Sequence, residues 1–338
     1  MSPRRTPGHA CVVGGGSWGT AFAIHLGRLG IPTRLWIHEP DTLLAAIRDR
    51  ENAAYLPGFV LPPAVHCSGD LRGTVAFGDV VFVAVPSRFC RKVYRSMAPA
   101  LRGDQLVVSL TKGFDPRSAE RMSELMTATV TRAGRPQIAV LSGPSFAREV
   151  AAGSPTAIVA AATRRQTAAR LQQLVAGPAL KVYTSTDPVG VEVGGAAKNV
   201  IAIAAGLGDA LGLGRNARAS LIARGLAEIT RLGMALGARR DTFAGLAGIG
   251  DLVLTCTADQ SRNYRVGHAI GQGRPLAEIL AASPAVAEGV DSARLLKRLA
   301  RRHGVAMPIA EQVHRVLHRG QPPEAAVHAL MLRQAGAE

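Results

Sequence analysis

Aromatic side chains are scarce in this 338-residue chain, at 4%, and the base-stacking platforms of nucleic-acid-binding proteins are built from them. The net charge of +16 therefore implies no nucleic-acid partner by itself. The cations run along the whole chain and form no tail, as an arginine-rich solvated surface would, and such a field also speeds encounter with a small anionic substrate and cofactor. Cysteine is sparse too. Cys11, Cys67, Cys90 and Cys256 form no C-x-x-C pair and have no histidine at metal-ligand spacing, so no metal site and no disulfide is expected. They read as small buried hydrophobes of a reducing compartment. No stretch reaches the roughly 18 uninterrupted apolar residues that cross a bilayer. Residues 1–5 are basic, but the apolar run at residues 10–13 is too short for a signal peptide and leads straight into a glycine loop. A cytoplasmic protein without a membrane span is expected.

Lysine is the most informative scarcity. Of forty basic residues only five are lysines: Lys92, Lys112, Lys181, Lys198 and Lys297. Arginine stays protonated, whereas a lysine amine can be brought into the working pH range and exchange a proton. Lys112 and Lys198 lie inside glycine-containing motifs, which makes them the first candidates for chemistry.

The chain is long enough for two domains of ordinary size. Its first half alternates short apolar runs with helix-like stretches, the signature of a doubly wound parallel sheet. Strands are expected at residues 9–14, 33–38, 79–86, 105–111 and 137–142, with weaker candidates at 155–161 and 181–185. A helix is expected at 17–29, and two proline-containing turns between Tyr55 and Pro63 suggest an irregular excursion. Beyond about Pro188 the segments 194–213, 216–236, 284–303 and 308–319 are alanine- and leucine-rich with helical period. The predicted architecture is an α/β Rossmann-type domain over residues 1–188 and an all-α substrate-binding domain over residues 189–338.

Gly14, Gly16 and Gly19 fit G-x-G-x-x-G at a strand end opening a helix, the arrangement that seats a dinucleotide pyrophosphate on a helix N-terminus. The end of the second strand faces the adenosine ribose in such folds. Here it falls on His38, followed by Glu39 and preceded by Arg34; a basic group at this position favours NADP, with NAD tolerated. Lys112, in Ser109-Leu110-Thr111-Lys112-Gly113, lies just past a strand end, where open α/β sheets bind ligands. Gly143, Ser145 and Ala147 belong to a second loop of that kind, Leu141 to Ala147, leading into a helix. Each loop alone reads more simply as a turn. Gly194-Gly195-Ala196-Ala197-Lys198-Asn199 is expected to open the first helix of the second domain, with Lys198 and Asn199 turned toward a cleft. Asp251 reads as a site residue or a helix cap, and Ser261-Arg262-Asn263 as a fork for phosphate with two neutral donors. The stretch Ala287-Glu288-Gly289 is a short loop before a helix.

Taken in order, GGGSWGTAFA, LTKG, SGPSFAREV, GGAAKNVIAIAAG, NARA, GIGDLVLTCT and SRNYRVG resemble the bacterial NAD(P)-dependent sn-glycerol-3-phosphate dehydrogenase family over almost the whole chain. The resemblance implies reversible hydride transfer between NAD(P)H and dihydroxyacetone phosphate, giving sn-glycerol 3-phosphate for phospholipid synthesis, in a homodimer. It implies Lys198 as acid/base. It implies Lys112, Gly143, Ser145, Lys198, Asp251, Ser261, Arg262 and Asn263 at the substrate. For the cofactor it implies Gly14, Gly16, Ser17, Trp18, Gly19, His38, Lys112, Ala147, Arg262, Val286 and Glu288. Two departures stand out: Ser145 where threonine is also common, and Gly289-Val290-Asp291 where relatives often carry an aromatic. Two alternatives stay open at this point: a dehydrogenase of another hydroxy acid, which needs no phosphate fork, and an NADP-responsive nucleic-acid-binding protein.

Overall fold

The structure, a computed structural model, describes residues 8–130, 136–282 and 287–333. The chain forms two compact units, the first comprising Met1–Thr111 with Glu120–Pro188 and the second Lys112–Ala119 with Val189–Glu338.

In the first unit eight strands make one sheet: β1 (Ala10–Val13), β2 (Thr33–Trp36), β3 (Val65–Ser68), β4 (Val80–Val83), β5 (Leu106–Ser109), β6 (Gln137–Ser142), β7 (Thr156–Ala161) and β8 (Leu180–Ser185). Their order is β3-β2-β1-β4-β5-β6-β7-β8, parallel throughout except at β6–β7. Helices alternate with them: α1 (Ser17–Arg28), α2 (Pro40–Asp49), α3 (Leu71–Phe77), α4 (Ser87–Met97), α5 (Met122–Val130), α6 (Ala147–Ala152) and α7 (Arg165–Val175). The inner strands β1, β4 and β5 are buried along their whole length. Their side chains alternate between two cores. Ala10, Val12, Val80, Phe82, Leu106 and Val108 join the one beneath α1, while Cys11, Val13, Val81, Val83 and Val107 join the one beneath α4 and α5. Strands covered on both faces need no polar side, which is why they read as continuous apolar runs. The short, half-exposed β3, Val65-His66-Cys67-Ser68, carries no such run and was not legible as a strand.

The second unit is helical: α8 (Pro188–Ala210), α9 (Gly214–Ala235), α10 (Arg240–Phe243), α11 (Asp251–Thr257), α12 (Arg262–Gly271), α13 (Leu276–Ala281), α14 (Glu288–His303), α15 (Pro308–Arg319) and α16 (Pro323–Met331). Helix α8 begins six residues before the expected opening, so the Gly194–Asn199 motif lies in its interior and not at its start. Glycine costs about 1 kcal/mol in a helix. At Gly194 a Cβ would run into the Ala247 carbonyl oxygen, so the glycine permits a close approach that outweighs its helix cost. By length and composition α8 is apolar enough to cross a membrane, although no 18-residue run in it is uninterrupted. In this fold 89% of its apolar window is buried inside the protein, making it the central core helix. Phe114 and Ala119 pack into the same core, which is why residues 112–119 group with the second unit, unlike the expected division at 188 alone.

Candidate functional site

In the first unit the glycine loop is shaped by contacts that exclude side chains. Gly14 has φ +119°, a conformation L-residues rarely adopt, and a Cβ there would meet the Ala84 carbonyl oxygen at 2.6 Å. A Cβ on Gly19 would run into the carbonyl oxygen of Gly14, so this glycine lets α1 sit directly behind β1. Around Gly16, by contrast, a Cβ would meet nothing within 4 Å. Gly16 is the N-cap of α1, whose first turn carries no acidic residue. An open backbone at the uncompensated positive end of a helix suits a pyrophosphate. Ser17 donates its hydroxyl to Tyr55 O at 2.7 Å, and Trp18 is half-buried against Phe22.

His38 is exposed just past β2, its ring tilted at 43° to that of Trp36 with centroids 5.4 Å apart. Arg34 does not join it. Its guanidinium bonds Gly73 O and lies 4.3 Å from the centre of the Phe77 ring, directed toward α3. Gly143 (φ +135°) and Ser145 follow β6, with the Ser145 hydroxyl donating to Gly143 O at 2.9 Å, and Ala147 is the first residue of α6.

In the second unit a charged cluster lies in the interior. Lys198, on α8, points its Nζ at Asp251 Oδ1 and at Thr255 Oγ1, the latter at 2.7 Å. Lys112 Nζ reaches the other carboxylate oxygen of Asp251 at 2.8 Å. Asp251 is 1% exposed and Lys198 5%, so neither charge is solvated. Burial lowers the Lys198 pKa to about 8; the neighbouring Lys112 charge pushes the same way and Asp251 opposes it. Two ammonium groups sharing one carboxylate leave the cluster one positive charge in excess. Such an ammonium can release and recover a proton near neutral pH, beside a second cation.

An amide chain frames the cluster. Asn199 Nδ2 donates to Lys112 O at 3.3 Å, Asn263 Nδ2 donates to Asn199 Oδ1 at 2.9 Å, and Asn263 Oδ1 accepts from Gly289 N at 2.9 Å. Asn263, expected as a free donor, is thus engaged at both ends of its amide. Ser261 caps α12 by accepting from Tyr264 N at 3.2 Å. Arg262 is half-buried at the first position of α12; burial lowers its pKa and the Glu288 charge opposes that shift. Val286 lies outside the described residues.

The structure thus brings Lys112, Lys198 and Asp251 together, with Asn263 linked through Asn199. Sequence reasoning missed Thr255 as a partner of Lys198 and Asn199 as the bridge. The spacing Asp251-x-x-x-Thr255, one helical turn on one face, was the available signal.

Models of the NAD-dependent glycerol-3-phosphate dehydrogenase N-terminus and C-terminus match residues 9–168 and 187–328. A glycerol-3-phosphate dehydrogenase [NAD(P)+] of Geobacter sulfurreducens is 48% identical over 327 residues, 97% of this chain and 98% of its own. The chain belongs to the NAD-dependent glycerol-3-phosphate dehydrogenase family. Another member, from Koribacter versatilis, is 45% identical over 97% of this chain and 98% of its own. The crystal structure of glycerol-3-phosphate dehydrogenase from Coxiella burnetii superposes with a TM-score of 0.93 at 38% identity, covering 98% of this chain and all of that one. Membership in this dehydrogenase family makes the chain an oxidoreductase that uses NAD or NADP, with a Rossmann-type unit followed by a helical one.

Proposed function

We propose that this enzyme reduces dihydroxyacetone phosphate reversibly to sn-glycerol 3-phosphate, the backbone of glycerophospholipids, as a cytoplasmic homodimer favouring NADPH. The observation that carries the reading is the buried Lys198–Asp251–Lys112 cluster, together with the names of the relatives.

On the resemblance, Gly14, Gly16, Ser17, Trp18, Gly19, His38, Lys112, Ala147, Arg262, Val286 and Glu288 are the residues to hold the cofactor, and the open backbone at Gly16 supports the pyrophosphate part of that reading. When bound, the reduced nicotinamide supplies hydride to the substrate carbonyl carbon. Lys198 Nζ gives its proton to the carbonyl oxygen as negative charge develops there, and takes it back in the reverse direction. Lys112 adds positive charge at the same oxygen in surroundings poor in water, where charge counts for more. Asp251 and Thr255 fix the direction in which the ammonium points. Arg262 and Ser261, at the start of α12, anchor the phosphate, with Asn263 holding the frame beside them; Gly143 and Ser145 are assigned to the substrate on the resemblance alone. Remote binding energy at the phosphate is thereby converted into alignment of the carbonyl. The exposed imidazole of His38 just past β2 supports the NADPH preference, the neighbouring Glu39 carboxylate accepting from the Tyr55 hydroxyl at 3.4 Å.

The test is loss of reduced-nicotinamide absorbance with NADPH and NADH separately. Oxidation is expected with dihydroxyacetone phosphate and not with dihydroxyacetone, and faster with NADPH. Equal rates with and without the phosphate would sink the phosphate assignment, and no oxidation with either would sink the activity. Arg262→Ala should raise the substrate KM about 10- to 100-fold, the range of one charge-assisted hydrogen bond; an unchanged KM removes Arg262 from the phosphate end.

A further inference from the structure

The excursion between α2 and β3 is not a loose loop. Arg50 adopts a left-handed backbone (φ 56°) and its guanidinium clamps the far end of the excursion, bonding Leu61 O, Pro62 O and Val65 O at 2.6–3.0 Å. Leu61 N returns a bond to Arg50 O at 2.7 Å, and Glu51 bridges to Val60. A non-glycine residue held at positive φ persists where its surroundings over-determine it, and such positions concentrate at functional sites.

What this clamp holds rigid is Asn52. Its side chain is 1% exposed and donates from Nδ2 to Gly15 O at 2.7 Å and to Thr20 Oγ1 at 2.8 Å. Thr20 Oγ1 in turn donates to Gly15 O at 3.3 Å. The other half of the Asn52 amide, Oδ1, is buried with no partner among the described residues. A buried acceptor left unpaired costs stability. The expense is explained by what Nδ2 does. The Gly15–Gly16 peptide is trans and planar, so its C=O and N–H point opposite ways. With Gly15 O held inward by Asn52 and Thr20, the Gly16 N–H is turned away from them, at the residue whose surroundings are open and which caps α1.

We propose that Asn52, supported by Thr20, is a positioning residue for the dinucleotide: it pre-aims the Gly16 N–H at the cofactor pyrophosphate and so sets cofactor affinity without touching the cofactor. The proposal rests on the dinucleotide reading of the glycine loop. Pre-aimed donors bind more tightly because no loop ordering accompanies binding.

The test measures dissociation constants of NADPH, NADH and ADP-ribose by fluorescence and calorimetric titration, with kcat and KM alongside. Asn52→Ala and the equal-sized Asn52→Asp, which puts an acceptor against Gly15 O, should each weaken all three ligands about tenfold or more. One such factor corresponds to about 1.4 kcal/mol. At saturating cofactor, kcat and the KM for dihydroxyacetone phosphate should stay within about threefold. Thr20→Val, nearly isosteric, should weaken the same ligands about threefold. Folded Asn52 variants with wild-type affinity for ADP-ribose would overturn the proposal. If neither Asn52 variant folds, Thr20→Val decides: weakened binding supports the proposal and unchanged binding overturns it. Failure of the wild-type protein to bind either dinucleotide would overturn the cofactor reading itself, and this proposal with it.

Discussion

The glycine loop of the first unit presents backbone from consecutive residues, Gly14 to Gly19, whereas the charged cluster of the second draws Lys112, Lys198, Asp251 and Thr255 from three separate stretches of chain. The loop's properties come from missing side chains: what matters at Gly14 and Gly19 is that no Cβ is present. The cluster's properties come from charges that burial has made costly and mutually dependent. The first site should therefore fail by steric intrusion, with effects on binding. The second should fail by loss of single atoms, with effects on the chemical step and its pH dependence.

The sharpest break in that contrast is Lys198→Ala. Turnover should fall about 10²- to 10⁴-fold, the span of a positioned acid/base, while NADPH binding measured by fluorescence is retained. Near-normal turnover would remove Lys198 from the chemistry. Next in size is the pH profile. For carbonyl reduction, kcat/KM should be level below the Lys198 pKa of about 8 and fall as pH rises through it, since the ammonium is the donor; the oxidation direction should show the opposite limb. A flat profile from pH 7 to 9 would contradict the assignment. Folding is linked to the same group with a definite sign. The folded pKa lies below the ordinary 10.5, so the unfolded chain holds the extra proton between about 8 and 10.5, and this residue's contribution to stability rises with pH across that window.

On the other side of the comparison, Gly19→Ala places a methyl against the Gly14 carbonyl oxygen. Overpacking of this kind costs about 1–3 kcal/mol, expected as roughly ten- to hundredfold weaker NAD(P)H binding with little change in substrate KM. A variant with impaired turnover but intact cofactor affinity would show that the two sites do not divide the work as drawn.

The sheet was legible because buried parallel strands announce themselves: β1, β4, β5 and β6 each coincide with an apolar run. The exceptions have physical reasons. β3 is a half-exposed edge strand that needs no apolar run. The start of α8 places Pro188 at the first position, which suits proline, but follows it with Val189-Gly190-Val191, poor helix formers whose preference is overridden by the burial that begins at Gly190.

From the chain alone came the cofactor class, because a pyrophosphate-binding turn is local: its glycines are neighbours in sequence, and steric need at each follows from the motif. The unusual retention of Lys112 and Lys198 was visible in the same way. Their meeting on opposite oxygens of Asp251 was not, nor were the Thr255 contact and the reach of Asn52 to Gly15 O. These contacts join residues from 37 to 139 positions apart. Only folding decides which distant groups become neighbours, and burial first, then the Lys112 charge beside it, decides that a lysine so placed gives up its proton near pH 8.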